Sequence, residues 1–443
     1  MIPSLRLIIT AALLTPLGLL PALAPLYAMP AAGLVCLIVL IVIADLILCR
    51  QRLDHLSLIA PEVVRMTQHR PATVSLHCLS SADRPSKLSA VLSLPPALQT
   101  DHPSLDFPAP GLKMSQPLSW QTVASQRGRF QLSQATLVTS SRLGFWEIRK
   151  LHDLKTEIRV YPNLISDRHS LASLFLPQMR EGRKTRRQIG QGREFEKLRD
   201  YIAGDSLDRI HWKATAKRNK PMSKVFQVER TQEIYVLIDS SRLSGIPVQM
   251  DGNGQQPLLE LSMKTAMLTG LAAQQQGDLF GLCTFSSRVN TFLRAKGGKG
   301  HFNHCREQLY LLETEPVSPD FQELATFIGQ RLRKRAMLII LTNLDDPVLA
   351  EEFAVAMELI NRRHLILVAA QNPPWARPLF TDDQLETIDD IHKNLAGHIQ
   401  DQRLRTLEKQ LKNHGVKLLR PSAEKQTVQV IQEYMQIKER QRL

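Results

Sequence analysis

Aromatic residues make up only 5% of this 443-residue chain. No run of Lys and Arg interleaves with Phe or Tyr, which removes the base-stacking platform of a single-strand nucleic-acid binder. Cysteines are scarce: Cys36, Cys49, Cys78, Cys283 and Cys305 form an odd set without a CxxC pair. That pattern excludes a disulfide framework and indicates a reducing compartment. Catalytic signatures are missing as well, with no GxSxG elbow, no HExxH helix and no GxxxxGK[ST] phosphate loop. "KGGKGH" at 296–301 has glycines and cations without the phosphate-loop spacing, so it reads as a turn after an edge strand. His301, His304 and Cys305 in "HFNHC" have ligand chemistry. A structural zinc site needs four donors, and no second cluster supplies the rest.

What is present begins with charge. Against 42 Asp and Glu stand 56 Lys and Arg, a net charge of +14, which suits an anionic partner or a place beside an anionic membrane. Residues 7–27 are apolar apart from two threonines and Pro16, Pro21 and Pro25; residues 31–49 are apolar apart from Asp45. Each stretch, as a helix, spans about 30 Å, one bilayer core. Arg6 precedes the first, Arg50 and Arg52 follow the second, and only "AMP" separates them. The positive-inside rule then leaves both ends in the cytoplasm. A signal peptide ending at Ala22–Ala24 is the competing reading, opposed by Pro25 at the first mature position. The expectation is an uncleaved two-helix hairpin over 1–52, with the bulk of the chain cytoplasmic.

Residues 53–162 read as short alternating strands with Ser, Pro and Asp breaks, a β-sandwich-like domain. A basic linker follows at 163–193, with Arg180, Arg183, Lys184, Arg186, Arg187 and Arg193. Beside an anionic lipid surface each such residue contributes about 1 kcal/mol; a solvated connector is the alternative. No groove-reading element accompanies the strip, so nucleic acid is not expected. Over 231–443 strands alternate with helices, the pattern of an α/β domain with a mostly parallel sheet flanked by helices. Its last helix, near 424–442, is polar on most faces and is expected to dock loosely.

Between linker and sheet, Glu194 to Ile202 suits a helix with Phe195, Leu198 and Ile202 on one face. Gly204 sits at a left-handed stop, and Asp205 can cap a second short helix that carries His211, Trp212 and Lys213. "KPMSKVFQVE" next reads as a strand able to pair antiparallel with "EIYVLID". A hydrolase using Asp205 or Asp208 with His211 has the acid–base groups but neither nucleophile nor oxyanion element.

In an open α/β sheet, ligands bind beyond the carboxyl ends of the strands. There Asp239 and Ser241 form a D-x-S step, which resembles the opening of the metal-ion-dependent adhesion site of von Willebrand factor A domains. That resemblance implies oxygen ligands around Mg²⁺. Leu243 stands where the second serine of the pattern belongs, and Thr342 and Asn343 stand where the strand-end acid belongs. The candidate set, incomplete, is Asp239, Ser241, Ser318 and Asp345. Alternatively, Asp239 caps the next turn and Ser241 satisfies backbone groups.

The stretch "GREFEKLRDYIAGDSLDRIHWKATAKRNKPMSKVFQVER" followed by "VLIDSS" resembles the signature of the domain of unknown function 58 family. The signature positions are Glu194, Phe195, Leu198, Arg199, Tyr201, Gly204, Asp205, Arg209, His211, Trp212 and Lys213, within a signature region at 194–230. The family consists of bacterial and archaeal membrane proteins with two N-terminal spans, a β-rich domain and a von Willebrand factor A-like domain. The resemblance implies a bacterial inner-membrane adaptor or scaffold without catalysis of its own. Its implied partners are a MoxR-type AAA+ ATPase, other membrane or von Willebrand factor A-like proteins, and membrane lipids. A Mg²⁺-dependent protein-binding module working without an ATPase is the alternative. The family pattern also admits Asp or Asn where His211 stands, which argues against an obligatory acid–base role there.

Overall fold

The computed structural model describes residues 1–23, 28–49, 53–80, 87–111, 114–163, 189–202, 207, 210–227, 232–250, 254–373, 375–379 and 388–440. The chain divides into two compact units, Met1–Asn163 and Leu164–Leu443.

The first unit opens with β1 (Ile2–Pro3) and helices α1 (Leu5–Leu23) and α2 (Ala28–Cys49). Leu37, Leu40, Ile47 and Leu48 of α2 are exposed. Its one acid, Asp45, is buried and accepts from the Leu143 amide at 3.3 Å. Trp146 Nε1 donates to the Val42 carbonyl at 3.1 Å, a second tie between α2 and the β-domain. Among the described residues no helix is long and apolar enough to cross a membrane.

The β-domain holds β2 (Leu56–Ile59), β3 (Val63–Thr67), β4 (Pro71–Ser80), β5 (Lys87–Leu92) and β6 (Leu98–Thr100). It continues through β7 (Ser104–Pro108), β8 (Ser115–Ala124), β9 (Gly128–Ser140) and β10 (Trp146–Tyr161). One sheet has the order β1-β10-β9-β5-β7 with β3 beside β10, and the other β2-β4-β8-β6. Alternation decides which side chains go inside, because successive residues of a strand face opposite ways. Along β8, Leu118, Trp120, Thr122 and Ala124 are buried while the residues between them are exposed. With Val74, Leu76, Leu88, Leu137 and Ile158 they form one core.

The second unit begins with a correction. Residues 194–200 lie in a strand, β11 (Ile189–Asp200), where a helix was expected. It pairs antiparallel with β12 (Met222–Gln227), Phe195 opposite Phe226. The apolar spacing of Phe195, Leu198 and Ile202 fits a helix, but a short run cannot decide against the cross-strand partner that tertiary structure supplies. β12 consequently does not pair with "EIYVLID", and β11 crosses the boundary expected between linker and signature region. Between the strands lies α3 (Trp212–Arg218), of which no residue is buried.

The central sheet comprises β13 (Glu233–Asp239), β16 (Leu279–Phe285), β17 (Val289–Lys296), β18 (Met337–Thr342), β19 (Leu365–Ala370) and β20 (Lys417–Leu419). Beside it is a small hairpin of β14 (Pro247–Met250) and β15 (Gly254–Pro257). Sheet order is β17-β16-β13-β18-β19-β20, all parallel except the β17 edge. This is a doubly wound, von Willebrand factor A-like fold. All six residues of β18 are buried, as expected of a strand with helices on both faces. Gly281 permits the close approach of Tyr235: a Cβ there would lie 2.4 Å from its ring.

The helices of this unit are α4 (Leu258–Gln275), α5 (Lys299–Leu309), α6 (Phe321–Arg331), α7 (Pro347–Asn361), α8 (Ile388–Asn413) and α9 (Gln426–Glu439). On one face α6, α7 and α8 bury Phe321, Phe353 and Leu407, with the two rings edge to face at 4.9 Å. On the other, α4, α5 and α9 bury Met263, Cys305 and Tyr434. The last helix therefore docks firmly, contrary to its polar composition. Lys438 Nζ lies 2.7 Å from the buried Asp278 Oδ2, which also accepts from the Tyr434 hydroxyl. Removing one partner of such a buried pair costs about 3–5 kcal/mol.

Candidate functional site at the carboxyl end of the sheet

β13 and β18 are neighbours, and the chain leaves them for opposite sides of the sheet, so their carboxyl ends mark the switch point. Asp239 ends β13 and Thr342 ends β18. Thr342 Oγ1 donates to Asp239 Oδ2 at 2.6 Å, and the Ser241 amide donates to Oδ1 at 2.8 Å. Burial pushes the Asp239 carboxyl above the usual carboxylate range, with the Thr342 and Ser241 hydrogen bonds pulling the other way. Ser241 caps a short 3₁₀ turn, its Oγ accepting from the Leu243 amide at 3.3 Å. Ser244, one step beyond the motif position, donates to the Ser241 carbonyl at 2.8 Å.

The remaining candidate ligands point into other partnerships. Ser318 Oγ accepts from Arg242 Nε at 3.1 Å, and the same guanidinium stands 3.7 Å from Asp346 Oδ2. Asp345 Oδ2 accepts from the Asn343 amide group at 3.0 Å, while the Asp345 amide donates back to Asn343 Oδ1 at 3.1 Å. Burial raises the Asp345 carboxyl above its ordinary range, opposed by the Asn343 bond. A hard cation needs oxygens that converge on one point. Here Asp239, Ser241 and Ser318 are engaged within the fold, Asp345 Oδ1 is buried without a hydrogen-bond partner, Leu243 supplies no oxygen, and an arginine stands at the rim. Among the described residues no group of three or more His, Cys, Asp and Glu is placed to hold a metal. Three of the four candidate residues are thus engaged inside the fold, which leaves an incomplete oxygen set for a hard cation.

A second polar cluster, which sequence reasoning missed, lies beside it. Glu315 accepts from Ser286 Oγ and from Asn290 Nδ2, both at 2.8 Å, while Ser240 Oγ donates to the Phe285 carbonyl at 3.0 Å. Only the position of Ser286, just past the end of β16, was a signal. Glu315 is a loop residue and Asn290 the second residue of the edge strand β17, and neither has a motif around it.

The signature positions are not brought to this end by any described contact. His211 Nδ1 accepts from the Ala214 amide at 3.1 Å and caps α3. Its backbone amide bonds the Met222 carbonyl at 2.8 Å, and Tyr201 N bonds that of Pro221 at 2.9 Å. Glu194, Phe195, Leu198 and Arg199 lie on β11, while Trp212 and Lys213 open α3. Gly204, Asp205, Asp208 and Arg209 fall outside the described residues, as do Arg180, Arg183, Lys184, Arg186 and Arg187. Burial pushes the Cys283 and Cys305 thiols up to about 12, so neither is a thiolate nucleophile at neutral pH. His301 Nε2 sits 2.8 Å from the Phe280 carbonyl, which places it in packing.

An uncharacterized protein, YeaD, of Bacillus subtilis (strain 168) is 22% identical over 241 residues, covering 53% of this chain and 55% of that protein. The chain thus spans little more than half the length of this curated relative. An aerotolerance-related membrane protein from Bacteroides fragilis is 10% identical at TM-score 0.31, covering 47% of this chain and 99% of that one. The conserved hypothetical protein BatB from Bacteroides thetaiotaomicron is 11% identical at TM-score 0.30, with coverage of 47% and 99%. The SpRpn10 VWA domain is 12% identical at TM-score 0.25, with coverage of 43% and 88%. Scores this low carry no argument about activity or partners. Residues 197–377, from the β11–β12 ribbon past the end of β19, match the family model described as protein of unknown function DUF58.

Proposed function

We propose that this chain is a membrane-anchored, non-enzymatic adaptor that presents its α/β unit to a MoxR-type AAA+ ATPase in the assembly or maturation of other proteins. The observation that carries the non-catalytic part is the internal satisfaction of the switch point. Asp239 accepts from the Thr342 hydroxyl and the Ser241 amide, and Ser241 Oγ accepts from the Leu243 amide. A catalytic site keeps a nucleophile beside a base and donors aimed at a reacting atom. The match to the family model over residues 197–377 and the exposed apolar side chains Leu37, Leu40 and Ile47 of α2 support the anchored part. On this reading the N-terminal segment, residues 1–52, tethers the chain to the inner membrane and the bulk lies in the cytoplasm.

Affinity capture of the full chain from membranes in mild detergent tests the reading. Recovery of an AAA+ ATPase with ATP-dependent stoichiometry is expected. Repeated capture without one, from cells that express such an ATPase, overturns it.

A further inference from the structure

Two exposed patches of the second unit complement each other in chemistry. The first is on and beside α3. Trp212 is 70% exposed and Leu207 69%, and both are followed closely by Lys213, Lys217, Arg218 and Lys220, all exposed. None of these cations forms an ion pair among the described residues. A helix that buries nothing of its own and begins with a bare indole has an apolar surface still to cover.

The second patch is on α7. Its inward side buries Phe353, Met357 and Ile360. Its outward side carries Val348, Val355 and Leu359, exposed by 64%, 57% and 64%. At 3.6 residues per turn these three fall within about 40° of one another, on the side away from Phe353. Glu351, Glu352 and Glu358 flank them, all exposed and without an ion pair among the described residues. Arg362, one turn beyond Glu358, is the nearest cation on that face of the helix. Three uncompensated carboxylates beside an apolar stripe are out of keeping with a chain of net charge +14.

We propose that the α3 patch of one copy docks on the α7 face of a second copy of this chain, head to tail. The apolar residues would form the centre of the contact and the lysines and glutamates its rim. Opposite charges set register and discourage the two like-with-like pairings. A head-to-tail contact of this kind is heterologous and builds rings or open chains. An anionic lipid surface would suit the α3 patch taken alone. It would leave the acidic, apolar α7 face without a partner, and a second copy accounts for both. This inference is independent of the ATPase reading.

Sedimentation of the full chain in detergent over a concentration series, at low and high salt, reads the contact. Reversible association that weakens with salt is expected. E351K/E352K/E358K and K213E/K217E/R218E should each weaken it by at least about tenfold. Mixing the two variants should restore it, since each then offers the face the other needs. That recovery also shows that both variants are folded. A chain that stays monomeric at every concentration overturns the proposal, as does association that neither reversal weakens or mixing does not restore. Loss of binding to anionic vesicles in the α3 variant, with association unchanged, would assign that patch to the membrane and overturn it as well.

Discussion

The carboxyl end of the central sheet and the α3 segment are both rich in polar residues, and they dispose of them in opposite ways. At the sheet end, the Asp239 and Ser241 side chains turn inward onto neighbours and are buried. On α3 nothing is buried, and the indole and three cations, Lys213, Lys217 and Arg218, are exposed. Chemistry-bearing residues that satisfy one another build the fold; those that satisfy nothing in their own chain are the ones available to a partner. The feature that resembles a ligand site is thus the less available of the two.

The sharpest way to break this contrast is to strike the core and the patch with the same kind of truncation. Phe353→Ala empties a site packed edge to face on Phe321, and should destabilise the chain by about 3–5 kcal/mol in chemical denaturation. Next in size is Thr342→Val, which keeps the shape but leaves Asp239 Oδ2 without its 2.6 Å donor. A loss of about 1.5–3 kcal/mol is expected for a hydrogen bond to a charged group. A negligible change would mean that the Asp239 carboxyl has another use, and would reopen the ligand reading.

Much of this arrangement was legible in the sequence, and the parts that were not share a cause. "EIYVLIDSS" and "AMLIILTN" announce buried parallel strands by their continuous apolar runs, which places Asp239 and Thr342 at neighbouring strand ends. The misread elements depend on partners far along the chain. β11 is a strand because β12 lies beside it, and α9 docks because Lys438 meets Asp278, 160 residues away in sequence. Ser318 looked like a ligand, yet Arg242, 76 residues earlier, claims its hydroxyl. Periodicity reports a residue's own face and is silent on what tertiary contact will bring to it.

A pH series refines the contrast with a smaller effect. The folded Asp239 carboxyl, raised by burial, holds its proton to higher pH than the unfolded one, which titrates near 3.9. In the window between the two, the folded state binds more protons, so stability falls as pH rises. Above both values the curve is flat. Asp239→Asn removes that part of the slope while still accepting from Ser241 and donating to Thr342. At pH 7 it should match the parent chain or exceed it by up to about 1 kcal/mol, because a buried charge is gone. Calorimetric titration with Mg²⁺ should show no saturable heat in either protein. Saturable binding in the parent that Asp239→Asn abolishes would place a cation at the switch point after all.

The smallest effect is the most telling one for α3. Trp212 is largely solvent-exposed, so Trp212→Ala removes little buried area and should change stability by no more than about 0.5 kcal/mol at low protein concentration. An indole lost from a packed site costs about 3–5 kcal/mol, so the two situations are well separated in a denaturation curve. Hydrogen exchange at the backbone amides of β12 gives a local check. The His211 amide bonds Met222 and the Met222 amide bonds Thr215 whether or not the indole is present. Protection there should therefore survive the substitution. Loss of β12 protection together with a destabilisation above about 1 kcal/mol would show Trp212 to be a packing residue of the ribbon, and the surface would then have nothing apolar to offer a partner.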